Sequence, residues 1–381
     1  MYNKKNVCII TTTRADYGLL KSIISSVYKH FNMNLQLIVT GSHLMEEYGE
    51  TYKLIEFPIT KKLYMQGYKD DNSTIIKSIG KDLYEYPDIF EELKPDVILL
   101  LGDRYEILAP SITATIMGIT IFHMCGGDIT EGAYDNQIRN CISMLANYHF
   151  PTSEHARQRL LSFGRTNVYL AGHPCLEKIN NQEYKNRNIL IKELNIEYND
   201  TNLLIVYHQE TMSNNMQDNI DNIIEFINII AKENISIFIF GTNIDTCNTM
   251  IKLAYNKLLN NKKKNIFYFE SLDQLTYLSL AKSCDVYLGN SSSGIYELPY
   301  LMDSIINIGD RQKGRELASN ILCCPIITEK MLTQYKKAVD IEFRSIPKDY
   351  KYKAYNTTEI VMDTIIHKVI GQSLNIPASY I

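Results

Sequence analysis

Three aspartates carry the sharpest chemical signal in this sequence. Asp103 follows an apolar run in LLLGDR (99–104), Asp128 lies in HMCGGDITEG (123–132), and Asp135 opens the amphipathic stretch after it. Carboxylates that converge have pKa values pushed apart, so one can serve as an acid while another is a base. Arg139 stands four residues beyond Asp135. Two readings are open for it: an i,i+4 pair contributing about 0.2–0.5 kcal/mol, or a contact to the substrate on which the acids act. Asp103 and Arg104 also admit two readings, a local ion pair at a helix start or a catalytic carboxylate beside a substrate clamp. A loop directly after a strand favours the second. The paired Gly126 and Gly127 allow a positive φ or a close backbone approach.

A second set of residues suits an anion. In GNSSSGIYE (289–297), Ser291, Ser292 and Gly294 leave backbone N–H groups exposed at a helix start, a natural phosphate site. Glu297, inside the first turns, is placed to take the two hydroxyls of a ribose. The alternative is an ordinary N-cap with a capping acid. Arg311 lies in a basic loop, GDRQKGR (309–315), after the next apolar run. His208 ends the run 203–207, and IFGTNID (239–245) presents Asn243 among polar side chains after another. Arg14, in TTTRADYG (11–18), can grip a phosphate or carboxylate, or be a surface arginine beside a capping cluster. His43 in GSHL reads as a satisfied structural histidine. No loop matches Gly-x-Gly-x-x-Gly or a Walker A motif, so a nicotinamide cofactor is not expected.

The elements that must position these loops alternate along the chain. Near-continuous apolar runs at 7–11, 35–39, 97–101, 119–123 and 168–171 read as strands buried on both faces. Helical patterns lie between them; in 134–146, Ile138, Cys141, Ile142 and Leu145 repeat at helical spacing. After a polar connecting segment with a short helix (181–202) the alternation restarts, with strands at 203–207, 235–240, 266–269, 286–288 and 305–308. Helical stretches near 215–232, 247–260, 271–283 and 294–301 separate these. The expectation is an α/β protein of two Rossmann-like domains facing a cleft, with ligands at the carboxyl ends of the strands. The expected division is 1–175 for the acid–base domain, 176–365 for the nucleotide domain and 366–381 for a tail. A helix at 357–370 is expected to cross back.

Composition bounds the function. The 381 residues are 45% hydrophobic and 22% charged, the profile of a globular protein, with a net charge of −4. No basic excess points to nucleic acid or a membrane surface, and no apolar run approaches a membrane span. The first ten residues read as a buried strand rather than a signal peptide. Eight cysteines without a Cys-x-x-Cys pair argue against a zinc site and fit buried, reduced thiols in a cytoplasm.

Taken together, TRADYG (13–18), GSHL with YGETY (41–44, 48–52), GDRYE (102–106), HMCGGDITEGAYDNQIR (123–139), YHQET (207–211), GNSSSGIYELP (289–299) and NIGDRQKGRE (307–316) resemble the hydrolysing UDP-N-acetylglucosamine 2-epimerases of sialic-acid pathways. The resemblance runs to about residue 320. It implies a glycosyltransferase-B-like fold and a reaction that removes the C2 proton, expels UDP and adds water to the resulting glycal, giving N-acetylmannosamine. It implies Asp103, Asp128 and Asp135 as acid–base groups, with His208 near the leaving diphosphate. Arg14, Arg104, His208, Asn243, Ser291, Ser292, Glu297 and Arg311 would hold the nucleotide, Ser271 would meet the uracil and Arg139 would contact substrate. It implies no cofactor, no metal, and a homo-oligomer. Cys125, Asp128, Asn140 and Gln209 depart from residues common in relatives. Other members act on UDP- or GDP-linked N,N'-diacetylbacillosamine toward legionaminic acid. A glycosyltransferase on the same fold and a nucleotide-sugar sensor are the alternatives from other classes.

Overall fold

A computed structural model describes the chain except for residues 1–3, 66–71, 131–133, 180–181, 209, 211–214, 242–247, 261–262, 354, 375, 378–379 and 381, and the side chains of 47, 72, 248 and 249. The chain forms two compact units. The first holds residues 1–129, 134–177 and 352–381, the second 130–133 and 178–351.

The first unit is built on one parallel six-stranded sheet. Its strands are β1 (Lys5–Thr11), β2 (Met33–Val39), β3 (Lys61–Lys62), β4 (Val97–Leu101), β5 (Thr120–Met124) and β6 (Tyr148–Phe150), in the order β3-β2-β1-β4-β5-β6. β4 (VILLL) is buried along its whole length, as a strand covered by helices on both faces must be. One face packs Val7, Ile9, Leu99 and Phe122 with the helix Arg14–Lys29, the other Cys8, Ile10, Ile98 and Leu100 with the helix Asn72–Leu93.

The second unit repeats the plan. Strands β7 (Thr201–Val206), β8 (Ile235–Phe240), β9 (Ile266–Phe269), β10 (Val286–Gly289), β11 (Ser304–Ile308) and β12 (Ile321–Cys324) are parallel, in the order β12-β11-β10-β7-β8-β9. Counted within its own unit, each sheet has the same strand order, 3-2-1-4-5-6. The direction of winding therefore reverses between β1 and β4 in one unit, and between β7 and β10 in the other. Ligands in open α/β sheets bind at such switch points, beyond the carboxyl ends of the strands.

Several expectations change. The run 168–171 is no strand: Val168 makes a single bridge to His149, and the Leu170 N–H then turns to the Tyr380 carbonyl. The short β3, β6 and β12 escaped the apolar-run criterion. The helix expected over 294–301 is two, Ser293–Tyr296 and Leu298–Leu301, because Pro299 brings no N–H to continue the first. The helix at 357–370 crosses back to the first unit as expected, so the division drawn at 365 does not hold and 352–381 belong together in that unit. Ile360, Val361, Ile365 and Ile376 are buried in the first unit's core, where the helix Thr357–Ile370 lies against Arg14–Lys29. All the cysteines described are free, but Cys141 and Cys323 are exposed rather than buried. Among the described residues no helix is long and apolar enough to cross a membrane.

Candidate functional site

Asp103 stands at the switch point of the first unit, and Asp128 and Asp135 follow the neighbouring strand β5. After β4 the chain turns through Gly102, at φ +81°, a conformation that costs glycine little. Asp103 follows, with about a quarter of its side chain exposed, and its carboxylate is ion-paired to Arg139. Arg139 is only 2% exposed, and its Nη1 donates to the Asp128 carbonyl at 2.8 Å. A second arginine, Arg159, donates to the same carbonyl at 3.1 Å. The Asp128 carboxylate accepts from the Thr152 hydroxyl at 2.8 and 3.0 Å. One buried guanidinium thus joins the loops after β4 and β5. Asp135 is the first residue of the helix Asp135–Leu145, one turn before Arg139. Arg139, expected to pair with Asp135 or to contact substrate, is instead buried against Asp103 and the Asp128 carbonyl.

The loop between β5 and Asp128 is tightly constrained. Cys125 adopts φ +59°, unusual for a residue with a Cβ, and Gly127 has φ +86°. A Cβ at Gly127 would also collide with the Ala156 carbonyl, and one at Gly126 would lie 2.7 Å from Ser143 Oγ. Gly127 thus needs both freedoms that glycine offers, and Gly126 needs the second. Gly127→Ala is expected to cost about 2 kcal/mol or more, from left-handed strain plus the clash. Thermal denaturation checks it, and an unchanged Tm contradicts it.

Arg104 turns away from its neighbour. Its guanidinium meets Glu106 in a fork, Nη2–Oε1 2.5 Å and Nε to both oxygens 3.2 Å, and Glu106 is 1% exposed. Asp16 is a second acid acting on Arg104. Burial raises the Asp16 carboxyl, which also accepts from the Thr12 hydroxyl. The local-pair reading of Arg104 was right in kind and wrong in partner. Two acids surround this one base, so its charge is already met. Arg14 is exposed at the first position of its helix, whose N-cap is Thr13. His43 is buried between the hydroxyls of Thr11 (3.1 Å) and Thr51 (2.8 Å), and burial lowers its pKa to about 4. It is the satisfied core histidine the sequence suggested.

In the second unit, the loops after β7 and β10 are stitched at the corresponding switch point. Asn290 accepts from the His208 N–H at 2.8 Å and donates to its carbonyl at 2.7 Å. The Asn290 carbonyl accepts from Arg311 Nη1 (3.3 Å) and Gln312 Nε2 (2.8 Å). Glu210 receives the N–H groups of Asp310 (2.7 Å) and Arg311 (3.1 Å). Asn290, Glu210, Gln312 and Glu106 were not singled out from the sequence, although each lies inside a quoted motif. His208 is buried, and desolvation, with the positive charge of Arg311, lowers its pKa to about 3. Its imidazole is therefore held neutral.

The serine loop is ordered by tyrosines. Ser291 N–H donates to Tyr287 Oη at 3.2 Å, Ser293 Oγ lies 3.3 Å from Ser291 Oγ, and Tyr277 Oη is 2.9 Å from Ser293 Oγ. Ser292 is exposed. Glu297 is half-buried near Gln274, and burial raises its carboxyl to about 7. Ser271 is exposed in the loop after β9. Asn243 lies outside the described residues.

Comparison with known proteins agrees with this picture. A family model described as UDP-N-acetylglucosamine 2-epimerase matches residues 26–366. The chain is 35% identical over 325 residues to a GDP/UDP-N,N'-diacetylbacillosamine 2-epimerase (hydrolyzing) of Campylobacter jejuni, covering 84% of each chain. It is 29% identical over 345 residues to a UDP-N,N'-diacetylbacillosamine 2-epimerase (hydrolyzing) of Legionella pneumophila, covering 88% of this chain and 89% of the other. The fold is similar to a UDP-GlcNAc 2-epimerase structure from Neisseria meningitidis bound to UDP-GlcNAc, with TM-score 0.78 at 18% identity, over 95% of this chain and 99% of that one.

Proposed function

The chain belongs to the UDP-N-acetylglucosamine 2-epimerase family, and from that premise we propose that it hydrolyses and epimerises a nucleotide-linked 2-acetamido sugar, with acid–base chemistry from the first unit and nucleotide binding from the second. The observation that carries this reading is the Arg139 bridge, which ties the Asp103 carboxylate to the main chain of Asp128, one helical turn from Asp135.

The proposed reaction has two steps. A carboxylate takes the C2 proton, the C1–O bond breaks with its electron pair leaving on the nucleoside diphosphate, and a C1=C2 double bond forms. Water then adds its oxygen to C1, and C2 receives a proton on the opposite face. The departing diphosphate needs its growing charge met. Arg311, His208 and the Ser291–Ser292 loop are the groups proposed to meet it. Arg14, Ser271 and Asn243 are proposed as further nucleotide contacts. Arg104, whose charge is met by Glu106 and Asp16, is better suited to holding loop geometry than to gripping phosphate. Arg311→Ala is expected to weaken UDP binding while the protein stays folded. Normal affinity by calorimetry would move the diphosphate elsewhere.

Glu297 makes binding pH-dependent. Its ionised carboxylate can accept from two ribose hydroxyls, whereas the protonated form must use one oxygen as a donor. Because burial holds the group up to about 7, UDP affinity is expected to rise as pH rises through about 7, with proton release on binding at the acid end. Glu297→Gln should flatten that dependence. A wild-type affinity with no slope there removes the ribose assignment.

The two hydrolysing relatives support N,N'-diacetylbacillosamine, linked to UDP or GDP, as the sugar. UDP-N-acetylglucosamine, converted to N-acetylmannosamine, is the second reading, supported by the family description. Either reading suits nonulosonate biosynthesis of the legionaminic or sialic type, which is the pathway proposed here. Turnover of a panel of UDP- and GDP-aminosugars in heavy water, read by NMR, tests all of this at once. Deuterium at C2 of a manno-configured product supports elimination and hydration. UDP release that depends strictly on an acceptor sugar would instead mean a glycosyltransferase.

A further inference from the structure

His123, the fourth residue of β5, lies beneath the acid loops with its ring fully buried. Its Nε2 is 2.7 Å from the Gly102 carbonyl oxygen and its Nδ1 is 3.1 Å from Ser143 Oγ. A carbonyl can only accept, so Nε2 carries the hydrogen and Nδ1 accepts from the serine hydroxyl. Both partners matter by position. The Gly102 carbonyl belongs to the peptide that leads into Asp103, while the Gly102 N–H is held by the Met124 carbonyl at 3.0 Å. Ser143 is buried on the helix Asp135–Leu145, four residues beyond Arg139 and eight beyond Asp135, along one helical face. The backbone at Gly126 packs against the same pair, since a Cβ there would lie 2.7 Å from Ser143 Oγ and 3.0 Å from His123 Nδ1.

We propose that His123 is a positioning residue: by donating to the Gly102 carbonyl and accepting from Ser143, its ring sets the Asp103 turn and the helix bearing Asp135 at their working separation. The proposal rests on the reading of Asp103 and Asp135 as acid–base groups. The ring's two hydrogen bonds run to two different elements, a geometry that packing volume alone would not require. Displacing a reacting group by about 1 Å can cost about 10²-fold in rate, so the effect belongs in kcat.

The test compares His123→Phe, His123→Gln and His123→Asn in the full chain, each checked for native circular dichroism and for UDP affinity. The amide of Gln can reach the Gly102 carbonyl in place of Nε2, whereas the shorter Asn amide occupies the Nδ1 position. Phe is expected to lower kcat by about 10²-fold with KM and UDP Kd nearly unchanged, Gln to restore most of the loss, and Asn to restore little. Wild-type kcat in a folded Phe variant, or equal activity of Gln and Asn, overturns the proposal. If Phe does not fold, the Gln-to-Asn ratio alone decides, and a ratio near one overturns it. Asp103→Asn and Asp135→Asn are assayed in parallel. If both keep full turnover, the acid–base reading fails; if both are inactive while the His123 variants are normal, only the positioning role fails.

Discussion

Asp135→Asn is expected to lower kcat by about 10²–10⁴-fold, the contribution of one positioned acid or base, while UDP binds with nearly wild-type affinity. Asp135 starts its helix in the first unit, and the nucleotide contacts proposed above sit mainly in the second. Asparagine keeps the shape and loses the proton chemistry, so the loss should fall in kcat and kcat/KM alike. Asp103→Asn should behave similarly, with an added loss of stability, because it removes the counter-charge of Arg139, a side chain 2% exposed. Single-turnover assays with UDP calorimetry on both variants check this. Full turnover in both would remove the acid–base proposal.

Arg139→Ala should injure folding and catalysis together. The guanidinium satisfies the Asp103 carboxylate and the Asp128 carbonyl at once. Removing one partner of a largely buried pair costs about 3–5 kcal/mol. The lower end applies here, since the Asp103 side chain is 27% exposed and can be partly rehydrated. For a unit of this size a loss of about 3 kcal/mol lowers Tm by roughly 6–12 °C. Turnover should be lost even well below Tm, because both acid loops lose their common anchor. Arg139→Lys keeps the charge but cannot make both contacts as a planar fork, and should recover stability better than rate. Thermal denaturation and kcat measured on the pair separate the two effects; a Tm within 1 °C of wild type for the Ala variant would contradict the anchor role (about 2–4 °C per kcal/mol is expected).

The helix over 135–145 shows how far local pattern reaches. Ile138, Ile142 and Leu145 pack on the core as their spacing required, yet Cys141 of the same series is exposed. The deeply buried face includes Arg139 and Ser143. Hydrophobic periodicity reports where apolar side chains go and is blind to polar ones turned inward for a task. The same blindness hid Glu106, Asn290 and Glu210. Each sat in a motif already singled out, but such a residue is recognised by its hydrogen bonds, and the partners of Asn290 and Glu210 are 82 and 100 residues away in sequence.

Sequence alone determined that the protein is a doubled α/β chain with its chemistry in the loops that end the strands, since strand runs, helical spacing and loop composition are written over a few residues each. It also determined the family, because that many ordered motifs identify a lineage without any contact being known. Tertiary structure decided which charges pair: Asp103 with Arg139 rather than its neighbour, Arg104 with Glu106, and Glu210 with the backbone before Arg311. It also decided how much of the chain returns with the helix expected to cross back, namely residues 352–381, and that the helix packs on Arg14–Lys29. These outcomes depend on the order of strands in the sheet, which sets the loops that lie side by side, and on which buried polar groups can be satisfied there; neither is encoded in any local period.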